Sequence, residues 1–395
     1  MKPAESTRGV VRRTFQPETP APRPGAIEEA LQQVRAMFHG AKPELVVIND
    51  PQRGTASTAI LSRARDLAVP RKARLLIATG SHRFAPTTQG LFEAPLRQLG
   101  FDAIAWHDAR SPELVDLGGW RAHPWLAAAR TILAIGSVEP HYFAGYTGAH
   151  KTLTIGCAAY ADIERNHAGA MNPACFPGQP GSSPVHQGVM TMLRALGSGR
   201  CLAALNLFQL GDEIFDAAGG PPAAALDALV PRVRQTYLRP IEKFADVVIA
   251  RVTGPLACSF YQADKGIKNN EAAVRSGGVL ILKADCPQGI GQDAFFQLLR
   301  QAPDHRSALA LVQSRGYHLG DHKAVRLRHL TDPACRKVRL FIVSSGLTVA
   351  DASLVGATKV ASVEAALRAA TSGEHSAFIC DVTDAGNTCL EVAAP

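Results

Sequence analysis

The 395-residue chain predicts an α/β fold of two domains with largely parallel sheets. Three observations predict it. Short runs rich in Val, Ile and Leu recur, and they are continuous rather than alternating, the pattern of strands buried on both faces. Amphipathic stretches of helical period separate them, giving the β–α alternation of a parallel sheet. The length exceeds what one core ordinarily serves.

Met1–Gly25 is rich in Pro, Thr and Arg and reads as a flexible arm, with a basic anchor for an acidic partner as the weaker alternative. The helical pattern Ala26–Phe38 leads to strands at Glu44–Asn49, Ala73–Ala78, Ala103–Trp106 and Thr131–Ile135, with a helix at Ser57–Leu67. Helical patterns at Pro184–Leu196 and Ala223–Tyr237 finish a larger domain over 26–240, which 373–395 is a candidate to complete. Leu238–Phe244 is the expected boundary. Strands at Asp246–Val252, Gly278–Lys283 and Val338–Val343 build a smaller domain over 241–372, and a last strand is expected at Ser376–Cys380.

Composition narrows the function classes. Hydrophobic residues make up 46% and charged residues 19%, ordinary values for a soluble globular protein. No apolar run approaches the roughly eighteen residues of a membrane span, so no membrane partner is expected. The net charge of +8 suits an enzyme that gathers small anions. The Lys and Arg residues are scattered and no zinc-finger or aromatic-basic module stands out, which argues against nucleic acid. The eight cysteines form no CxxC pair, and without a secretory signal they read as buried thiols of a cytoplasmic protein.

Ligands of open parallel sheets sit beyond the carboxyl ends of the strands. Four expected strands end in polar loops: Asp50-Pro51-Gln52-Arg53, then Thr79-Gly80-Ser81-His82-Arg83, then the long segment Glu139 to Thr152 that leads to Asn166-His167, then Ser259 to Lys265. Singly, each has a bland reading, Asp50 as a helix N-cap and the histidines as solvated or structural side chains. Jointly they mark an active site without naming a reaction.

Three other patterns resemble known motifs. Gly145 to Thr152 reads GYTGAHKT, but His150 stands where a phosphate loop needs its second glycine, which argues against an ATPase while backbone amides remain available to a phosphate. Gly289 to Ala294 reads GIGQDA, a dinucleotide fingerprint lacking the acidic residue about twenty positions on. His318 and His322 have the spacing of a metal pair, but Gly320 interrupts it and Asp321 reads as the N-cap of the helix that follows.

The ordered set Asp50 and Arg53, Gly80-Ser81-His82-Arg83, His141-Tyr142-Phe143-Ala144-Gly145, Lys151, Asn166-His167, Tyr261-Gln262-Ala263-Asp264-Lys265 and Gly320-Asp321-His322-Lys323-Ala324 resembles the lactate racemase family, whose members use a nickel-pincer nucleotide. The match runs from about Val46 to Val343. The resemblance implies a racemase or epimerase of small 2-hydroxy carboxylic acids working by reversible hydride transfer through a 2-keto acid. It implies a covalent tether at Lys151 for the cofactor, pyridinium-3,5-bisthiocarboxylic acid mononucleotide nickel, with His167 as nickel ligand and Gly145 and Gly148 as further cofactor contacts. His82 and His141 would be the two acid–base residues, Arg53 the carboxylate clamp, Gln262 and Lys265 the holders of the hydroxyl or keto oxygen, and Asp50 an orienting residue. Those residues come from both domains, so the site is expected in an interdomain cleft, served by enzymes that make the cofactor.

The residue types suit these roles. A C–H beside a carboxylate is a weak acid, so hydride removal avoids a carbanion that would sit next to a negative charge. Hydride loss requires loss of the hydroxyl proton, which imidazole can accept near neutral pH. Guanidinium matches a carboxylate bidentately, and imidazole and sulfur donors suit nickel. The chain departs from the family pattern at Phe84-Ala85-Pro86 and at Ala149-His150, which leaves the particular 2-hydroxy acid open. Two other functions stay in play, an NAD-dependent oxidoreductase and a non-catalytic anion-binding protein.

Overall fold

Apolar β-branched runs pair with one another, and the amphipathic helices between them cover both faces of the resulting sheets. The computed structural model describes residues 9–393 apart from 66, 68–72, 173, 292 and 372–375, and leaves aside the side chains of 293 and 294. After β1 (Val10–Phe15), the first lobe contains α1 (Ala26–Met37), β2 (Leu45–Asn49), α2 (Ser57–Arg63), β3 (Arg74–Ala78), α3 (Pro86–Gln98) and β4 (Ile104–Trp106). The short elements β5 (Val115–Asp116), β6 (Arg121–Ala122) and α4 (Pro124–Ala128) precede β7 (Thr131–Ser137). A small hairpin follows, β8 (Pro140–His141) with β9 (Gly145–Tyr146), then α5 (Ala149–Leu153), α6 (Tyr160–His167) and α7 (Pro184–Gly197). The lobe ends with β10 (Cys201–Leu210), β11 (Glu213–Gly220) and α8 (Pro222–Tyr237).

The second lobe runs through β12 (Leu238–Ile241), β13 (Ala245–Arg251), α9 (Phe260–Asn270), β14 (Val274–Lys283), α10 (Asp293–Gln301), α11 (His305–Arg315) and α12 (Asp321–Thr331). It continues with β15 (Arg339–Val343), α13 (Val349–Leu354), β16 (Ala357–Lys359), α14 (Val363–Thr371), β17 (Ala377–Val382) and β18 (Cys389–Val392). Among the described residues, no helix is long and apolar enough to cross a membrane.

Strand order places the ligand sites. The first sheet reads β11-β10-β7-β2-β3-β4, parallel except for β11. The chain winds from β2 outward to β4, then returns to β7 on the other side of β2. The crevice therefore opens between the ends of β2 and β7. The second sheet, β1-β17-β13-β14-β15-β16, is parallel throughout, and its order reverses between β13 and β17. Each sheet carries an apolar core on both faces.

Three expectations change. The segment read as an arm contains β1, which pairs with β17 from Val10↔Ala377 to Phe15↔Val382, while residues 1–8 lie outside the described ones. Its middle residues are exposed, so this edge strand lacked an apolar run to reveal it. The segment 373–395 is a candidate to complete the larger domain, but β17 belongs to the second sheet and β18 pairs with β12, inside the expected boundary segment. Asp321 is the first residue of α12 rather than its cap, which is Gly320. Its carboxylate instead accepts from the His318 amide and from Arg315.

Candidate functional site

Both turns of the first crevice are built by their own side chains. Asp50 ends β2 and caps the short turn Pro51–Arg53, its Oδ1 accepting from the Gln52 amide at 2.9 Å. Its Oδ2 lies 3.0 Å from His82 Nδ1, on the loop after β3. Asp50 is 2% exposed, so the carboxylate has little water to turn to and fixes the ring. With Nδ1 protonated and donating to Asp50, His82 keeps Nε2 free as a base. Arg53, on the same turn, is exposed.

Beyond β7, the chain must fold back tightly to bring α5 against the sheet. Gly136 permits this, because a Cβ there would stand 2.5 Å from the Ala149 amide nitrogen. The Ala149 amide donates to Asn206 Oδ1 on β10 at 2.8 Å. Lys151, in the middle of α5, is half-buried and has no carboxylate partner among the described residues. Burial, with the charges of Arg53 and Lys265, pushes its ammonium well below the ordinary lysine range. Thr152 Oγ1 ties α5 to β2 by donating to Asn49 Oδ1 at 2.8 Å.

His167 closes α6 and is buried, with Nδ1 lacking a hydrogen-bond partner of good geometry among the described residues. Burial, then the Lys151 charge, lowers its pKa to about 3, so the ring is neutral and able to offer a lone pair. Asp50, Arg53, His82, Gly148, Lys151 and His167 line a single cavity with Ser137 and Thr152. His141 stands beside it in β8, stacked on Tyr142 and edge-on to Phe143 at 4.3 Å between ring centroids. Burial, then Lys151, Arg53 and Lys265, depresses its basicity strongly.

Gln262 and Lys265 lie in the first turns of α9, after β13. Gln262 is exposed, and Lys265 Nζ reaches Asn387 Oδ1 at 3.5 Å on the loop after β17. The charge of Lys265 acts on Lys151 and His141, but neither Gln262 nor Lys265 is on the wall of the cavity, which first-lobe residues line. Gly145 is not on the cavity wall: its φ of 75° and a would-be Cβ 2.6 Å from Pro180 N give it a packing role. The carbonyls of Gly289 and Ile290 accept from the Phe260 and Tyr261 amides, each at 3.0 Å. That fingerprint-like segment thus holds the start of α9, while Gln292 within it lies outside the described residues. His318 and His322 do not pair. His322 Nε2 meets Tyr142 Oη at 2.9 Å and its Nδ1 meets Tyr317 Oη at 2.6 Å.

Sequence reasoning assigned no role to Tyr142, Tyr317, Asn206 or the buried charges Asp264, Lys268, Glu271 and Arg326. The signal for Asp264, Lys268 and Glu271 was present: a run rich in charged and amide residues from Asp264 to Glu271 that a solvated helix face would also explain.

The profile described as the lactate racemase N-terminal domain matches residues 3–176, and that of the lactate racemase C-terminal domain matches 241–322. The chain is 27% identical over 305 residues to the lactate racemase of Thermoanaerobacterium thermosaccharolyticum, covering 72% of this chain and 70% of that one. It is also 27% identical over 297 residues to the lactate racemase of Lactiplantibacillus plantarum, covering 70% and 68%. The lactate racemase apoprotein structure from T. thermosaccharolyticum superposes with a TM-score of 0.84 at 22% identity, over 97% of this chain and 95% of that one. A crystal structure of a Thermotoga maritima protein gives 0.68 at 15% identity, over 93% and 98%. At these identities the two structures establish the fold.

Proposed function

The chain belongs to the lactate racemase family and is an isomerase of that kind, and from that premise we propose that it inverts C2 of a small 2-hydroxy carboxylate by hydride transfer with a nickel-pincer nucleotide held at Lys151 and His167. The observation that supports this most is the shared cavity of Lys151, His167, His82 and Arg53. The residues fit the group. Lys151 presents an amine whose charged form is disfavoured, as acylation requires. His167 presents a neutral, buried ring with a nitrogen available to a metal. When bound, the nucleotide supplies a hydride acceptor that no side chain can offer.

The remaining work falls to the chain. Arg53 takes the substrate carboxylate in a bidentate pair and fixes C2. His82 removes the hydroxyl proton at Nε2, with Asp50 holding its other nitrogen. His141, kept neutral, does the same for the opposite antipode. Gln262 and Lys265 hold the oxygen as it becomes a ketone, and the second lobe keeps water from the reacting carbon.

The test is expression together with the enzymes that make the nucleotide, followed by intact-mass analysis and chiral chromatography of lactate and a panel of other 2-hydroxy acids. The expected result is a nucleotide-sized adduct that Lys151→Ala abolishes, with racemisation of at least one acid. A wild-type chain that carries no adduct under those conditions overturns the reading.

A further inference from the structure

Helix α12 is polar in sequence yet buried along most of its length, from Asp321 to Arg328. Burying such a helix is costly unless every charged or hydrogen-bonding head finds a partner. The partners lie on both sides of the cleft. His322 accepts or donates through both ring nitrogens, to Tyr142 of the first lobe and Tyr317 of the second. Lys323 Nζ donates to the Tyr261 carbonyl at 2.5 Å and sits 4.1 Å from the centroid of the Tyr261 ring. Arg326 Nη1 donates to the Tyr142 carbonyl at 3.4 Å, and its Nε donates to Glu271 at 3.0 Å.

These contacts end beside the groups assigned to the chemistry. Tyr142 lies between His141 and Phe143, and the Phe143 ring stands edge-on to both His167 and His322, at 5.0 and 5.1 Å. Tyr261 immediately precedes Gln262, one turn ahead of Lys265. We infer that α12 is the strut that sets the two halves of the site against each other, with His322 and Lys323 as its positioning residues. His322 fixes the His141 loop and Lys323 fixes the start of α9. The assignment rests on the functional reading above for the identity of the site, but the strut itself is a property of the cofactor-free chain.

The experiment has two arms. In the first, amide hydrogen exchange is followed in the cofactor-free full chain for wild type, His322→Phe, Tyr142→Phe and the double variant. Phenylalanine keeps the ring packing and removes the hydrogen bonds. Exchange at 141–143 should quicken about tenfold in each variant, the worth of one lost hydrogen bond, with the double variant no worse than either single one. Lys323→Met should quicken exchange at 261–265 and leave 141–143 unaffected. If His322→Phe does not fold, Tyr142→Phe, which deletes one hydroxyl, carries the same measurement.

In the second arm, cofactor-loaded His322→Phe should lose roughly ten- to a hundredfold in kcat with little change in KM, the size expected for groups that orient ligands. Wild-type exchange rates at 141–143 in His322→Phe and Tyr142→Phe would overturn the strut, whatever the enzyme does. Quickened exchange in those variants alongside a wild-type chain that turns over no 2-hydroxy acid would leave the strut standing and remove the functional reading instead.

Discussion

At the scale of single residues, the pair Asp50–His82 carries a sharp consequence. The carboxylate is an acceptor only, so it forces the His82 proton onto Nδ1 and leaves Nε2 open. Asp50→Asn keeps the shape and remains a good cap for the turn Pro51–Arg53. An amide can donate as well as accept, however, and the opposite tautomer would put the proton on Nε2, where a base is needed. Asp50→Asn is therefore expected to lower kcat about 10²-fold or more in the direction that uses His82, with an unchanged thermal melt. Initial rates measured separately from each antipode, by chiral chromatography, check it. Equal rates in wild type and variant would remove His82 from its assigned role. The residue types of this pair were legible from sequence because both follow buried strands. The 3.0 Å contact was not, because thirty-two positions separate the partners and only the β2–β3 register sets them opposite each other.

At the scale of elements, the eight strands expected from continuous apolar runs all exist. The sequence reading missed β10, a buried central strand of the first sheet, with its antiparallel neighbour β11, and it missed β1. β1 carries Arg12, Arg13 and Thr14 in succession on an exposed edge, and it is held by Asp381, which receives hydrogen bonds from Arg12 on β1 and Arg251 on β13. Burial opposes ionisation of Asp381, but these two guanidinium groups outweigh it and hold the carboxyl below its ordinary range. A depressed folded value means stability that is complete above the unfolded carboxylate value and lost as pH falls through the folded one. Asp381→Asn should thus unfold about 2 kcal/mol more easily in urea at neutral pH, and the gap to wild type should close only in strong acid. A gap that closed near neutrality would show the pairing of β1 to rest on something else. Gly136→Ala tests the other close approach, where β7 meets the first residue of α5. Overpacking there is expected to cost roughly 1–3 kcal/mol and to displace Lys151, so that both the melting temperature and the yield of adduct fall together. An intact melt with full loading would mean that the backbone of α5 is freer than its packing implies.

At the scale of the whole molecule, the winding reversal of the first sheet places the loops after β2, β3 and β7 around one cavity, and the sequence alone could not pair those loops. What it did carry was their charge. Arg53 and Lys265 are both close enough to act on Lys151, and cations so placed favour anything negative that enters between them. The chain as a whole carries +8, which extends the attraction into solvent. A small carboxylate is then drawn in before it makes any contact, and that long-range part is what salt removes, since the screening length falls from about 20 Å or more at low ionic strength to about 8 Å near physiological salt. The value of kcat/KM should accordingly fall several-fold as sodium chloride is raised over that interval, while kcat, which is set after the substrate is bound, stays level. Choline chloride at equal ionic strength should reproduce the fall, which separates screening from a specific effect of sodium. Arg53→Gln should start from a lower kcat/KM and show a shallower slope, because it removes the cation proposed to take the carboxylate. A salt-independent kcat/KM in the wild-type enzyme would mean that the cleft's charges act only on contact, and that the surplus of Lys and Arg has no part in gathering substrate.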